Sequence, residues 1–582
     1  MEQWLSRQAA GRAAVALATI LATTGGVTRA QPATTPTHKI RIVLAGDSTV
    51  TDNAGWGHAF ADCFGDGVEV INLSKGGRAS GSFVKEGRWQ KALDAKPDYV
   101  LVQFGHNDQP GHGPERETDP NTTYKANLAR YVDEGRAAGT KVVLVTPMSR
   151  REWGDDNKIH SRLQPWVDAT KQVAAEKNVP IIDLHSRAIE LYEKLGRDGV
   201  LAISPGKAGG TTQPVNGDNS GVLNKGYDGT HLNATGARMV GPIVARGLIA
   251  AVPALADVAD QGRLAAPLPG KVIVVAADGS GMVKTVQEAL DAVPEDAADR
   301  TLISVKPGTY AGPFIVPKTK RAITLVGEDS ATTILAYDKN VYDPIPAGHD
   351  KFNPGLHVRG DDFRAENITF TNTSGDHGQA LAVRVDGDKA SFKNCRLLGW
   401  QDTLMVNNGR QYFKDCYIEG RVDFIYGSGA AVFETCEIHS KNGGYVTAAS
   451  TPQDHPYGFV FLRCKLTGDE AAWDPATTNP ATTQKAKSTG KLAFLGRPWR
   501  DYAAVTFIEC DLGDHIRPEG WDNWRKPEKE KTSRYSEYGS TGPGGDMTNR
   551  VGWAKRLTKA EADAANVVNV LGGSDGWKPD AE

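Results

Sequence analysis

Apolar positions follow two different rhythms along the chain. From Lys39 to about Ala251, short β-branched runs alternate with longer stretches in which apolar residues recur every three or four positions. Ile40–Ala45, Tyr99–Phe104, Lys141–Thr146 and Pro180–Leu184 read as strands; Thr122–Ala138, Arg162–Lys177 and Ala234–Ala250 read as helices. Strands alternating with helices predict a parallel sheet covered on both faces. Residues 252–269, rich in Ala, Pro and Leu, read as a linker. Over 270–579 the helical period is nearly gone, and short β-branched and aromatic runs are separated by Gly, Asn and Asp.

A repeat runs through this second part. Phe392-Lys-Asn-Cys395 is followed by Phe413-Lys-Asp-Cys416, Phe433-Glu-Thr-Cys436, Phe461-Leu-Arg-Cys464 and Phe507-Ile-Glu-Cys510, the first spacings being 21 and 20 residues. Units this short, without helices, predict the coils of a parallel β-helix, with Phe and Cys stacked in ladders inside it. Packing as small hydrophobes suits these cysteines better than metal binding, and neighbouring rungs leave a disulfide open.

The ladder places chemistry in register. Asp402 and Asp423 each lie seven residues after a ladder cysteine, so they occupy one column on successive coils. Gln379 and Gln401 share the neighbouring column. Stacked strands are about 4.8 Å apart, and carboxylates that close repel, so one of them should have a raised pKa. Arg497 lies 13 residues before Cys510, as Asp423 lies 13 before Cys436, which predicts that it projects on the same face further along. A bidentate contact would hold Asp423 ionised and leave Asp402 as the protonated member. That is a division of labour suited to acid/base work. A lone Asp would read as a turn residue; two Asp, two Gln and an Arg in register read as a site.

These segments, "QALAV", "GWQDTLMV", "VDFIYG" and "LGRPW", resemble the signatures of pectin methylesterases, and "KPGTY" and "VLGGSDGW" extend the likeness over about Lys271–Pro579. The resemblance implies a right-handed parallel β-helix. It implies Asp423 as nucleophile on the C6 methyl ester of galacturonate, and Gln379 and Gln401 as oxyanion donors, worth roughly 3–4 kcal/mol each. It implies Asp402 as acid and then base, Arg497 as the residue orienting Asp423, and Trp499 and Tyr426 as aromatics of the sugar groove. Gly312, Met405 and Tyr426 depart from the family's usual Glu, aromatic and Phe. Residues 473–491 read as an inserted mobile loop.

The first half carries a second set. "IRIVLAGDSTV" places Ser48 in a tight turn beyond a strand, and "DGTHLN" places Asp228 and His231 three apart, close enough for the carboxylate to orient the imidazole. Gly77 in "NLSKGGRAS" and Asn107 in "VQFGHNDQ" would supply oxyanion donors together with the Ser48 N–H. The order Ser, Gly, Asn, Asp-x-x-His resembles the SGNH, or GDSL-type, hydrolases, and "GGRAS", "QFGHND", "VTPMSRR" and "DGTHLNATGA" are most similar to rhamnogalacturonan acetylesterases. Over 39–251 that likeness implies a flavodoxin-like three-layer α/β/α fold and removal of acetyl groups from a polysaccharide.

Composition narrows the setting. The net charge of −3 gives no hint of nucleic-acid or membrane binding, and six cysteines without a CxxC pair point to neither a disulfide scaffold nor a metal. Arg7 and Arg12 precede an apolar run, Ala13–Thr23, and Thr28-Arg29-Ala30 follows as a cleavage site; residues 1–30 read as a signal peptide. The run falls short of the roughly 20 apolar residues a membrane span needs. The expectation is an exported two-domain de-esterase of methylated and acetylated pectin, periplasmic or extracellular, needing no metal or cofactor. Three alternatives stand beside it: a Ca²⁺-dependent pectate lyase, a β-helix that only binds carbohydrate, and an N-terminal domain acting on another acetylated polysaccharide such as xylan.

Overall fold

The computed structural model describes residues 39–205, 227–265, 269–346, 349–469 and 493–579. The expected signal peptide and the 473–491 insertion lie outside these residues. In the first half, five parallel strands, β1 (Ile40–Gly46), β2 (Val68–Asn72), β3 (Tyr99–Gln103), β4 (Lys141–Val145) and β5 (Ile181–Ile182), form one sheet in the order β2-β1-β3-β4-β5. Alternation along β1 makes the layers. Ile42 and Leu44 enter a core with the helices Gly57–Ala61, Leu184–Gly199 and Ala234–Ala251, while Val43 and Ala45 enter another with Thr123–Ala137 and Gln164–Lys177. This is the three-layer α/β/α arrangement.

Two local readings change. Pro180–Leu184 contains a strand of only two residues, because Asp183 caps a helix starting at Leu184 and accepts a hydrogen bond from Ser186 N. The strand Val68–Asn72, absent from the sequence reading, is an edge strand whose residues are all half-buried, so its apolar period is weak.

Among the described residues, the second half is a parallel β-helix with sheets of 11 and 13 strands, every ladder between its named strands being parallel. Phe392, Phe413, Phe433, Phe461 and Phe507 stack face to face at 4.9, 4.7, 4.5 and 4.4 Å between centroids. The five cysteines form the adjacent ladder as buried free thiols, so the disulfide left open by their spacing is not formed. The residue before each cysteine has a left-handed backbone: Asn394, Asp415, Thr435, Arg463 and Glu509 all have φ of 51–52°. Asn and Asp tolerate that region best, which accounts for the first two repeats reading Lys-Asn-Cys and Lys-Asp-Cys.

The described part of the stretch read as a linker, 252–265, is packed against both halves. Pro253–Val258 and Gln261–Ala265 are helical, and Leu255 and Leu264 are buried in one core with Val272, Val274, Leu302 and Val326 of the first coils. Lys306 Nζ donates to the carbonyls of Leu201 and Ser204 across the same contact, at 2.9 and 3.3 Å. The two halves therefore share apolar core, and the helices that carry Ala234 and His58 face the side of the β-helix.

Candidate active sites

Ser48 begins a short 3-10 turn directly after β1 and Asp47. The Asp47 carboxylate accepts from Thr49 N at 2.9 Å and Thr49 Oγ1 at 2.7 Å, which fixes that turn. Asp228 Oδ1 accepts from the backbone of Thr230 and His231, so the "DGTH" loop folds on its own acid. Arg151 Nη2 then donates to the carbonyls of Asp228 and His231 at 2.9 and 2.6 Å, pinning the loop over β1. The outcome is a hydrogen-bonded relay. His231 Nε2 lies 2.8 Å from Ser48 Oγ, and His231 Nδ1 lies 2.7 Å from Asp228 Oδ2. With Asp228 accepting from Nδ1–H, Nε2 is left as the acceptor for the serine proton. Burial pushes the Asp228 carboxyl up, but its hydrogen bonds to His231 outweigh that and hold it at about 2. It is an anion throughout the neutral range.

Gly77 has φ +77°, a turn geometry that favours glycine, and a Cβ on the adjacent Gly76 would sit 3.5 Å from Ser48 Cβ. The loop thus lies against the serine. Asn107 Nδ2 donates to Arg78 O at 3.1 Å, which ties the predicted amide to the same loop. Two residues escaped the sequence reading. Buried His106, beside Asn107, has Nδ1 3.3 Å from Asp47 Oδ2, and its burial pushes the imidazole down toward the neutral form. Arg151 is the other. Both stand in segments whose motif was visible, but a supporting role has no spacing of its own.

In the β-helix, strand pairing aligns Leu404 with Ile425, which sets Asp402 and Asp423 in one column as the cysteine count predicts. Gln379 pairs with Gln401 on adjacent coils. Both acids have left-handed backbones, φ 64° and 52°. Gln379 Nε2 donates to Asp402 Oδ2 at 3.0 Å. Arg497 grips Asp423 with both arms, Nε to Oδ1 at 2.8 Å and Nη2 to Oδ2 at 2.6 Å.

The contact is as predicted but the register is not. Ile425 pairs with Thr447, and Thr447 with Gly496, so Arg497 belongs to the column of Tyr426 and reaches Asp423 through the length of its side chain. Its guanidinium is held between the rings of Tyr445 and Trp524, 3.8 and 3.6 Å from their centroids. Neither aromatic was predicted, because both follow segments of irregular length where the repeat gives no register.

The two acids differ in charge environment. Burial, and then the neighbouring Asp423, push Asp402 up to about 7. Burial also pushes Asp423 upward, against the two Arg497 hydrogen bonds, so the arginine opposes the shift without reversing it. Beside them Met405, Tyr426 and Ala448 align on successive coils and form an apolar strip with Phe352 and Trp499; the Trp499 and Tyr426 rings meet edge-on at 5.7 Å. Tyr426 is buried, and its ring meets the half-buried ring of Trp499.

Comparison with known proteins agrees with both halves. The family model "Pectinesterase" matches residues 272–574, and the "GDSL-like Lipase/Acylhydrolase family" matches 44–239. Pectinesterase 31 of Arabidopsis thaliana is 39% identical over 302 residues, 50% of this chain and 89% of that protein. Pectinesterase 4 of the same plant is 37% identical over 309 residues, 51% of this chain and 50% of that protein. The solved pectin methylesterase from carrot is 34% identical, covering 53% of this chain and 94% of that one, with a TM-score of 0.47. Both matched families cleave carboxylic esters, and the chain is a carboxylic ester hydrolase. With more than half its length matched by the one model, this chain belongs to the pectinesterase family.

Proposed function

We propose that the chain removes two kinds of ester from pectin, methyl groups at the β-helix site and acetyl groups at the serine site. The observation that carries the first is the bidentate Arg497–Asp423 contact beside an Asp402 that keeps its proton to about pH 7. Asp423 attacks the C6 ester carbonyl of a galacturonate. The oxyanion that forms takes hydrogen bonds from Gln379 and Gln401, each amide having two N–H groups and Gln379 spending one on Asp402. Asp402 gives its proton to the departing methoxide, so methanol leaves and an acyl–Asp423 anhydride remains. Asp402, now ionised, takes a proton from water, whose oxygen attacks the same carbonyl and restores Asp423.

At the other site His231 takes the Ser48 proton while Oγ attacks the acetyl carbonyl; as the bond to the sugar oxygen breaks, His231 gives that oxygen the proton, so it leaves as a hydroxyl, and water then releases acetate from Ser48 by the same route. Gly77, Asn107 and the Ser48 N–H serve the oxyanion. Pectin as the polymer is supported by the names of the relatives, and acetyl as the second ester by the fact that both substituents mask one polymer. Trp499 lines the sugar groove, with Tyr426 buried behind it. The protein works outside the cytoplasm, where pectin is met. The test is to incubate the protein with methylated, acetylated pectin in the presence of EDTA: methanol and acetate are both expected. A product absorbing in the ultraviolet as an unsaturated uronate, or the absence of methanol, overturns this assignment.

A further inference from the structure

A cleft of about 480 Å³ runs between the serine half and the flank of the β-helix. One wall is the helices Gly57–Ala61 and Ala234–Ala251, and the other is the strands Phe363–Glu366, Ala390–Lys393 and Arg410–Lys414 with the turns that follow them. Its end at Asp52 and Ala234 lies four residues after Ser48 and three after His231, and Leu232 N donates to Ala54 O at 3.0 Å to hold those two loops together. Asp52, Lys393 and Asp415 on its rim are exposed, so a solute can enter.

The charges of the β-helix wall are not self-satisfied. Glu366, Lys393, Lys414 and Glu434 align in one column on successive coils. Both acids are engaged. Glu366 pairs with Arg238 across the cleft, and Glu434 pairs with Arg463 and, at 3.9 Å, with Lys414. Lys393 is left beside a like charge, a position that costs stability, and among the described residues it has no ion-pair partner. After burial, Arg238 and Arg263 of the serine half lower its proton affinity, Asp62 of the same half opposes them, and Lys414 adds to the lowering. Asp62 is engaged by Arg263 and Glu366 by Arg238, so Lys393 is the cation of this wall left to take an anion from solvent.

We propose that this cleft holds a carboxylate of a polyuronate chain whose O-acetyl group is presented to Ser48, so that the β-helix supplies part of the serine site's substrate specificity. This rests on the reading of Ser48 as an esterase for a pectic polysaccharide. It gives the shared core between the halves a purpose: the wall that recognises the acid group is fixed relative to the nucleophile. The ester that the β-helix site hydrolyses leaves a free carboxylate, so demethylation would create the group that the cleft binds.

The experiment compares the full chain with its Lys393→Gln and Lys393→Arg forms. Acetate release is followed from acetylated polygalacturonate, from acetylated xylan as a neutral polymer, and from p-nitrophenyl acetate. Lys393→Gln is expected to raise KM for the polyuronate roughly five- to tenfold with kcat nearly unchanged, and Lys393→Arg to restore it. KM for the small ester, and methanol release measured separately on methylated pectin, stay at their original values, which shows the fold is intact. An unchanged KM on the polyuronate, or an equal rise on xylan, overturns the proposal while leaving the serine esterase standing. Acetate from xylan alone, or from neither polymer, overturns the pectic reading of the serine site and the proposal with it.

Discussion

Replacing Asp423 by Ala is expected to lower methanol release roughly 10⁴-fold, because it deletes the nucleophile. The stability effect runs with it. Asp423 and Arg497 are both largely buried, and removing one partner leaves a guanidinium without its counter-charge between Tyr445 and Trp524. Breaking a buried pair in this way costs about 3 kcal/mol, less whatever is gained by no longer burying the acid. Asp423→Asn separates the two effects. It keeps an oxygen for Arg497 and is expected to unfold close to the original protein while losing methanol release to the same extent. Measuring product rates and thermal midpoints for both variants checks this, and methanol release by Asp423→Asn above a hundredth of the original rate would contradict the nucleophile assignment.

Asp402→Asn is expected to lower methanol release by about 10²–10³-fold, the usual worth of a positioned acid and base. It is also expected to stabilise the fold, in a pH-dependent way. The folded carboxyl titrates at about 7 while an unfolded one titrates near 3.9, so the folded state binds more protons between those values. Stability from this group is complete below about pH 4 and is lost as pH rises to about 7, by an amount on the order of 2–4 kcal/mol. An asparagine escapes that loss. Its midpoint should exceed the original at pH 8 and match it at pH 4. An equal difference at both pH values would place the Asp402 pKa in the ordinary range. The same titration predicts that methanol release by the unaltered protein falls as pH rises past about 7, since the proton given to methanol is then gone.

Much of the fold and of both sites was legible because the relevant signals are periodic or local. The Phe and Cys ladders repeat in sequence and stack in space, so counting from Cys395 and Cys416 was enough to set Asp402 over Asp423. The Ser48, Asp228 and His231 segments each carry their geometry within a few residues of a strand or turn. Counting failed where coil length varies. Arg497 lies two coils beyond Asp423, across a span of irregular length, so its contact was found but its column was wrong. Tyr445 and Trp524 act by stacking on a side chain, which leaves no pattern in the chain order. The packing of 252–265 within the stretch read as a linker was not legible for a different reason: Ala, Pro and Leu suit a packed turn as well as a connection, and only the first coils beneath it decide between them.

If one chain holds two separate ester-cleaving sites, each can be disabled alone. Ser48→Ala and Asp423→Ala forms are given the same methylated, acetylated pectin, and both products are measured from each. Ser48→Ala should release methanol at the original rate and no acetate, and Asp423→Ala should release acetate and no methanol. Loss of both products from either single substitution, or survival of both, would contradict two independent sites.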